Sequence, residues 1–201
     1  MFETNTGKEL IIIDGAPGII RRWFRSLQER NSVDAAFTGN GRAWRAELRH
    51  AVLPYGALTS QAFHHLNLAL TGVEKQASDR LALAIFTGIA AHAHHDNATG
   101  SFARQLGEEI KSGPCLSRQR FDRLLAVRTP AELSSQLIRA VKLRGDQGVN
   151  LVSLADGVFL WMREWQAKEA HLAAESNPFK RLSVRWASEY LQAGEKSPRN
   201  K

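Results

Sequence analysis

Cysteine is nearly missing from these 201 residues: Cys115 stands alone, which excludes an internal disulfide, a thiolate zinc site and a paired-thiol redox centre. No apolar run approaches the roughly 18 residues that a membrane-spanning helix needs. The start, with Glu3 and Lys8 among polar residues, lacks the basic-then-apolar order of a secretory leader, so a soluble cytoplasmic protein is expected. Internal repeats, heptad arrays and low-complexity tracts are missing too. Catalytic signatures are equally sparse. Ile11-Ile12-Ile13-Asp14-Gly15-Ala16-Pro17-Gly18 starts like a strand entering a phosphate loop. Ile19 and Ile20 then stand where Lys and Ser or Thr must reach the phosphates, and the third glycine of a dinucleotide site is lacking. No Gly-x-Ser-x-Gly elbow presents a nucleophile.

What is present is an ordinary apolar share, 43%, spaced for helices. Ile20, Trp23, Phe24 and Leu27 predict a helix over 18–30, and Trp44 and Leu48 the buried side of a second over 42–52, stopped by Pro54. Phe63, Leu66 and Leu70 mark a third helix, and Leu81, Ile85, Phe86 and Ile89 a fourth. Phe102, Leu106 and Ile110 mark a fifth, ended by the turn at Lys111-Ser112-Gly113-Pro114. Ser117 is placed to cap the next helix, with Leu116 and Phe121 as a hydrophobic staple. Thr129-Pro130-Ala131-Glu132 is the sharpest local signal: a capping hydroxyl, proline at the first helical position and glutamate at the third. Leu133, Leu137, Ala140 and Val141 form that helix's buried stripe. Residues 151–162 are almost all apolar, as in a helix surrounded by others. Asn177 and Pro178 open a last helix with a stripe of Phe179, Leu182, Trp186 and Tyr190. The expected fold is all-α: two packed bundles of eight to nine helices, at 18–113 and 114–193, between an N-terminal extension (1–17) and a frayed tail (194–201). Leu10–Ile13 has no evident strand partner.

Charge is the positive clue to function. Lys and Arg number 27 against 20 Asp and Glu, a net +7 with pI near 10.0. Such a balance attracts polyanions: nucleic acid first, then an anionic membrane or an acidic partner. The excess is concentrated. Residues 17–49 hold seven basic and three acidic side chains, and residues 101–144 nine and four. Arginine dominates both stretches, and its fork of donors suits phosphate. Arg21 with Arg25, Arg42 with Arg45 and Arg49, Arg139 with Lys142, and Arg181 with Arg185 each lie away from their helix's apolar stripe. For any one pair a solvated face explains this, but recurrence on four helices points to a phosphate-tracking surface. Exposed aromatics are expected to be scarce, so backbone contact with little base preference follows.

Two further clusters carry possible chemistry. His92, His94 and His95 beside Asp96 are of metal-ligating type, but on a helix only His92 and His95 share a face, and no third ligand stands at helical spacing. No metal or other cofactor is expected. His64 and His65 read as surface or cap residues. Cys115 beside Pro114 at a helix entrance could have a lowered thiol pKa, though no base accompanies it.

The order of these pieces resembles a known family. Arg45-Ala46-Glu47-Leu48-Arg49, Phe63-His64-His65-Leu66, Gly100-Ser101-Phe102-Ala103-Arg104-Gln105-Leu106, Ser117 to Leu125, Leu137-Ile138-Arg139 and Val184-Arg185-Trp186-Ala187-Ser188-Glu189-Tyr190 are similar, in order and spacing, to the CasB family. The resemblance covers residues 18–193. CasB proteins are the small subunit of Cascade, the type I-E CRISPR surveillance complex. It implies a non-catalytic, two-bundle helical protein in antiviral defence, with two copies set head to tail. Its implied partners are the RNA-coating backbone subunits, the large subunit, CRISPR RNA and target DNA. Basic residues would steady the R-loop, especially the displaced strand. Arg49, Arg128, Arg139, Lys180 and Arg181 match basic places in the family pattern, while His50 stands where a second arginine commonly follows. Two other classes remain open on the residues alone. One is a helix-turn-helix regulator using Thr129–Leu143 to read base edges, and the other a helical metal enzyme at the histidine cluster.

Overall fold

Helix starts are written into this chain by side chains that satisfy free backbone N–H groups. The structure, a computed structural model, describes residues 15–70, 77–110 and 113–194. Asn40 caps α2 (Gly41–His50), Ser60 caps α3 (Gln61–Ala69), Ser101 caps α5 (Phe102–Gly107) and Asn150 caps α8 (Leu151–Glu169), each accepting from a backbone N–H in the first turn. The Thr129 capping box forms as its spacing predicts: Thr129 Oγ1 accepts from Glu132 N, and Glu132 Oε2 accepts from Thr129 N, opening α7 (Pro130–Arg144). The others are α1 (Ala16–Ser26), α4 (Ala77–Ala90), α6 (Arg118–Leu125) and α9 (Leu182–Gly194). Three short 3-10 turns join them. Nine α-helices and one two-stranded ladder among the described residues make the fold all-α.

The expected apolar stripes are buried: Ile20, Trp23, Phe24 and Leu27; Trp44 and Leu48; Ile85, Phe86 and Ile89; Leu133, Leu137, Ala140 and Val141. They join in one continuous core. Packing crosses the expected boundary at residue 113, since α4 lies against α7 and α8, and α5 against α9. Gly157 lets α9 approach α8 closely, because a Cβ there would sit 2.4 Å from the Trp186 ring. Gly148 serves twice, with φ of +69° and the His95 ring 2.6 Å from where its Cβ would be. This close approach ties the turn after α4 to the start of α8, where Asp96 also accepts from Leu151 N at 3.1 Å.

Several expectations need correction. Helix α1 starts at Ala16 and stops at Ser26, short of residue 30. Ile110 does not extend α5; it pairs with Gly113 in a ladder of β1 (Glu109–Ile110) and β2 (Gly113–Pro114), because α5 ends at Gly107, where a side chain would strike the backbone of Tyr190. Ser117 occupies the N-cap of α6 without a side-chain bond. Phe179 is 76% exposed, since Pro178–Lys180 forms a separate 3-10 turn; the buried stripe of α9 is Leu182, Trp186 and Tyr190. His92, His94 and His95 follow the end of α4 rather than sharing a helix. Trp161 is only partly buried in α8. The strand-like Leu10–Ile13, Lys111 and Ser112 of the expected turn, and the tail from Glu195 lie outside the described residues, as does nearly all of the 1–17 extension. No helix among the described residues is long and apolar enough to cross a membrane.

Candidate nucleic-acid interface

The basic residues of α2 converge on the end of α4. The free carbonyls there carry the negative end of the helix dipole, which favours cations. Arg45 Nε donates to Ala91 O at 2.9 Å, and its other nitrogens donate to Ala93 O and the Gln28 side-chain oxygen. Arg49 Nε, one turn on, donates to the same Ala91 O at 2.8 Å. Arg42, one turn earlier, donates to Gln28 O at 3.2 Å. Together with Leu27, Ala46 and His50 these residues line an open groove. The Gln28 amide nitrogen is buried and has no hydrogen-bond partner.

Helix α7 contributes to the same neighbourhood. His92 is partly buried, and its pKa falls to about 4, first through burial and then through the positive charges of Lys142, Arg49 and Arg45. One imidazole therefore senses cations from two helices far apart in sequence. Burial, followed by the Arg49 charge, also lowers the Arg45 pKa. Arg139 is exposed one helical turn before the exposed Lys142 on α7.

The remaining candidates lie elsewhere. Arg21 Nε bonds Asp96 at 3.1 Å, whereas the charge of exposed Arg25 acts on Asp34. Arg185 bonds Asp156 at 3.1 Å; that carboxylate is buried, so its pairing serves packing. Arg181 donates to Glu175 O at 2.9 Å, and Lys180 lies near the Glu175 carboxylate. Arg128 is exposed beside a cleft between α6, α8 and α9. The structure thus joins Arg42, Arg45, Arg49 and Lys142 around one location, and sets Arg181 and Arg185 beside Glu164 at another.

Sequence reasoning missed Gln28 and His92 as members of the groove and neighbourhood; their only signal was position, one just beyond α1 and one just beyond α4. The histidines take different roles. His94 Nδ1 lies 2.8 Å from Asp146 Oδ1, and His65 stacks on Trp44 with ring centres 4.7 Å apart. Among the described residues no group of three or more His, Cys, Asp or Glu side chains could hold a metal ion. The Cys115 thiol pKa is raised by burial, opposite to the expected direction, although nearby Arg144 pulls it down.

Against known proteins, no match is found among curated sequences or solved structures. A family model described as CRISPR-associated protein Cse2 matches residues 44–191, from Trp44 of α2 through Leu191 of α9. Because that match spans well over half of the chain, the chain belongs to the Cse2 family, also called CasB, the structural small subunit of the type I-E Cascade complex in CRISPR defence.

Proposed function

We propose that this subunit holds the sugar-phosphate backbone of nucleic acid on the surface joining α2, the turn after α4, and α7. In doing so it steadies the displaced strand of an opened target. The observation carrying this reading is the convergence of Arg45, Arg49 and Lys142 around His92. Arg45 and Arg49 are held against carbonyls, which use N–H groups without cancelling charge. Arg139 extends the cations along α7. Contacts of this kind recognise phosphate, not sequence.

Modest backbone contacts are sufficient. Exchanging a DNA duplex for an RNA–DNA hybrid is nearly balanced, so a few charge contacts to the released strand shift the outcome. CRISPR RNA, target DNA and a second copy of this chain are the partners within this reading. The complex would supply high effective concentration, allowing individually weak contacts to count.

Binding of single-stranded DNA to the full chain at several salt concentrations tests the proposal. Each lost phosphate contact makes the log–log salt slope shallower by about 0.7 on a single strand, so reversing Arg49, Arg139 and Lys142 together should reduce it by about 2. Competition with random sequence should displace any strand equally well. An unchanged slope with a folded variant overturns this placement; strong preference for one duplex sequence would favour a base-reading helix instead.

A further inference from the structure

A second feature lies on the opposite end of α8 from the Asp96 junction. A cavity of about 200 Å³ opens between α6, α8 and α9. Its apolar wall includes Leu125, Val127 and Leu182, with Trp186 packed at its base. Trp161 and Trp165, one turn apart on α8, are both only partly buried; their rings are nearly parallel, with centroids 6.3 Å apart and planes 7° apart. Both indoles pack against the core yet line the cavity with part of their surface, whereas Trp23, Trp44 and Trp186 are buried.

Polar groups converge on this aromatic wall. Exposed Arg128 and Lys168 line the opening, where they can meet a phosphate. Glu164 lies between the two tryptophans in sequence and lines the same cavity. Its Oε1 accepts from Leu182 N at 2.8 Å, leaving Oε2 as a further acceptor in the partly buried wall. Its pKa is raised by burial, with Arg181 and Arg185 pulling the other way. Flat rings, an acceptor and rim cations form the set that a nucleotide needs: stacking for the base, an acceptor for its N–H groups, and positive charge for its phosphate.

We infer that the cleft lined by Trp161, Trp165, Glu164, Arg128 and Lys168 is a binding site for an unpaired nucleobase of single-stranded nucleic acid. This rests on the backbone-binding reading above and adds a contact that senses bases rather than phosphates. The cleft is the right size for one heterocycle with its sugar, and charge complementarity at its rim favours a nucleic-acid strand over an apolar or basic peptide. Stacking requires only a π-face, so occupancy need not depend strongly on which base enters.

The test compares two single strands of equal length and charge on the full chain, one carrying bases and the other abasic throughout. At equal salt the base-bearing strand should bind about fivefold or more tightly, the low end of the stacking range for one base, and quench tryptophan emission. Trp165→Leu should reduce this preference to near unity without altering the salt slope, while Trp165→Phe retains most of it. Trp161→Leu provides a second reading should Trp165→Leu fail to fold. Equal binding of the two strands overturns the base site but leaves the backbone proposal standing. A preference unaffected in both folded leucine variants also overturns it. Failure of both strands to bind overturns both. If the strands bind equally and Trp165→Leu instead prevents assembly with other Cascade subunits, the cleft belongs to a protein neighbour and the inference is refuted.

Discussion

Arg45 and Arg49 stand one turn apart and share the Ala91 carbonyl, yet their removal should have different consequences. Arg45 is partly buried and donates to Ala91 O, Ala93 O and the Gln28 side chain, whereas exposed Arg49 donates only to Ala91 O. A hydrogen bond from a charged donor is worth about 1.5–3 kcal/mol, and less where water can replace it. Replacing Arg45 with Met keeps most of the aliphatic stem but leaves the end of α4 without those donors. Allowing for water access, the loss should be about 3 kcal/mol. For Arg49→Met, where Arg45 still covers Ala91 O, it should be about 1 kcal/mol or less. At this chain length the Arg45 change corresponds to a fall of roughly 6–12 °C in unfolding midpoint. Urea and thermal unfolding of the full-length variants measure the difference, and single-strand binding below both transitions measures function. Both substitutions should weaken binding, but only Arg45→Met should strongly destabilise the protein. Equal stabilities would refute the assignment of Arg45 as the structural clamp between α2 and α4.

Two other perturbations address different parts of the fold. Arg144 is almost completely buried and donates to Gly148 O at 3.0 Å, Gln105 O at 2.8 Å and Glu108 at 2.9 Å. Arg144→Met strands these acceptors and should cost about 3–5 kcal/mol in urea unfolding. A loss below about 1 kcal/mol would show that water replaces the guanidinium. For His92, the folded pKa of about 4 lies below the ordinary 6.5, so the folded state binds fewer protons there. Its stabilising contribution is present above about pH 6.5 and is lost as pH falls toward 4, worth about 1–2 kcal/mol after discounting for partial exposure. His92→Gln should flatten the stability profile in that interval; an unchanged difference between pH 7 and pH 4.5 would contradict the proton linkage.

Local rules made most helices legible. The Thr129–Glu132 box fixed the start of α7, and the stripes through Ile20, Phe86 and Leu137 selected buried faces because spacing along a helix sets direction. Other features depended on distant segments. Ile110 followed the α5 pattern, but the close approach of Gly107 to Tyr190 and pairing with Gly113 placed it in a ladder. Phe179 continued the spacing of α9, yet its separate 3-10 turn left it exposed. The cationic surface was visible only in fragments. The Arg42, Arg45 and Arg49 register can be read along α2, but nothing local links those residues to Lys142, and Gln28 carries no charge to mark it. Trp161 stands near the end of the apolar run of α8 and Trp165 follows just past Arg163 and Glu164, where helical spacing predicts burial and only packing shows that both indoles keep part of their surface at a cavity.

The fate of each guanidinium decides which candidates retain attraction for a strand. Arg21, Arg118, Arg163 and Arg185 lie beside carboxylates of the chain itself. Each such pair has little net charge beyond its immediate surroundings, and salt screens what remains. Arg45 and Arg49 engage carbonyls instead. A carbonyl consumes a donor but supplies no opposing unit charge, so these arginines are held in position while their charge remains. That combination orients a cation before a phosphate arrives, reducing the side-chain freedom lost on contact. The charge of Lys142 also reaches His92, whose imidazole is driven, first by burial, to its neutral form and therefore adds no further repulsion among the cations. The path proposed for the strand consequently runs from α2 across His92 to α7. Arg21 and Arg185, despite their equivalent sequence patterns, should contribute mainly through structure: their neutralisation would move stability more than the salt slope, the reverse of what Lys142 should do.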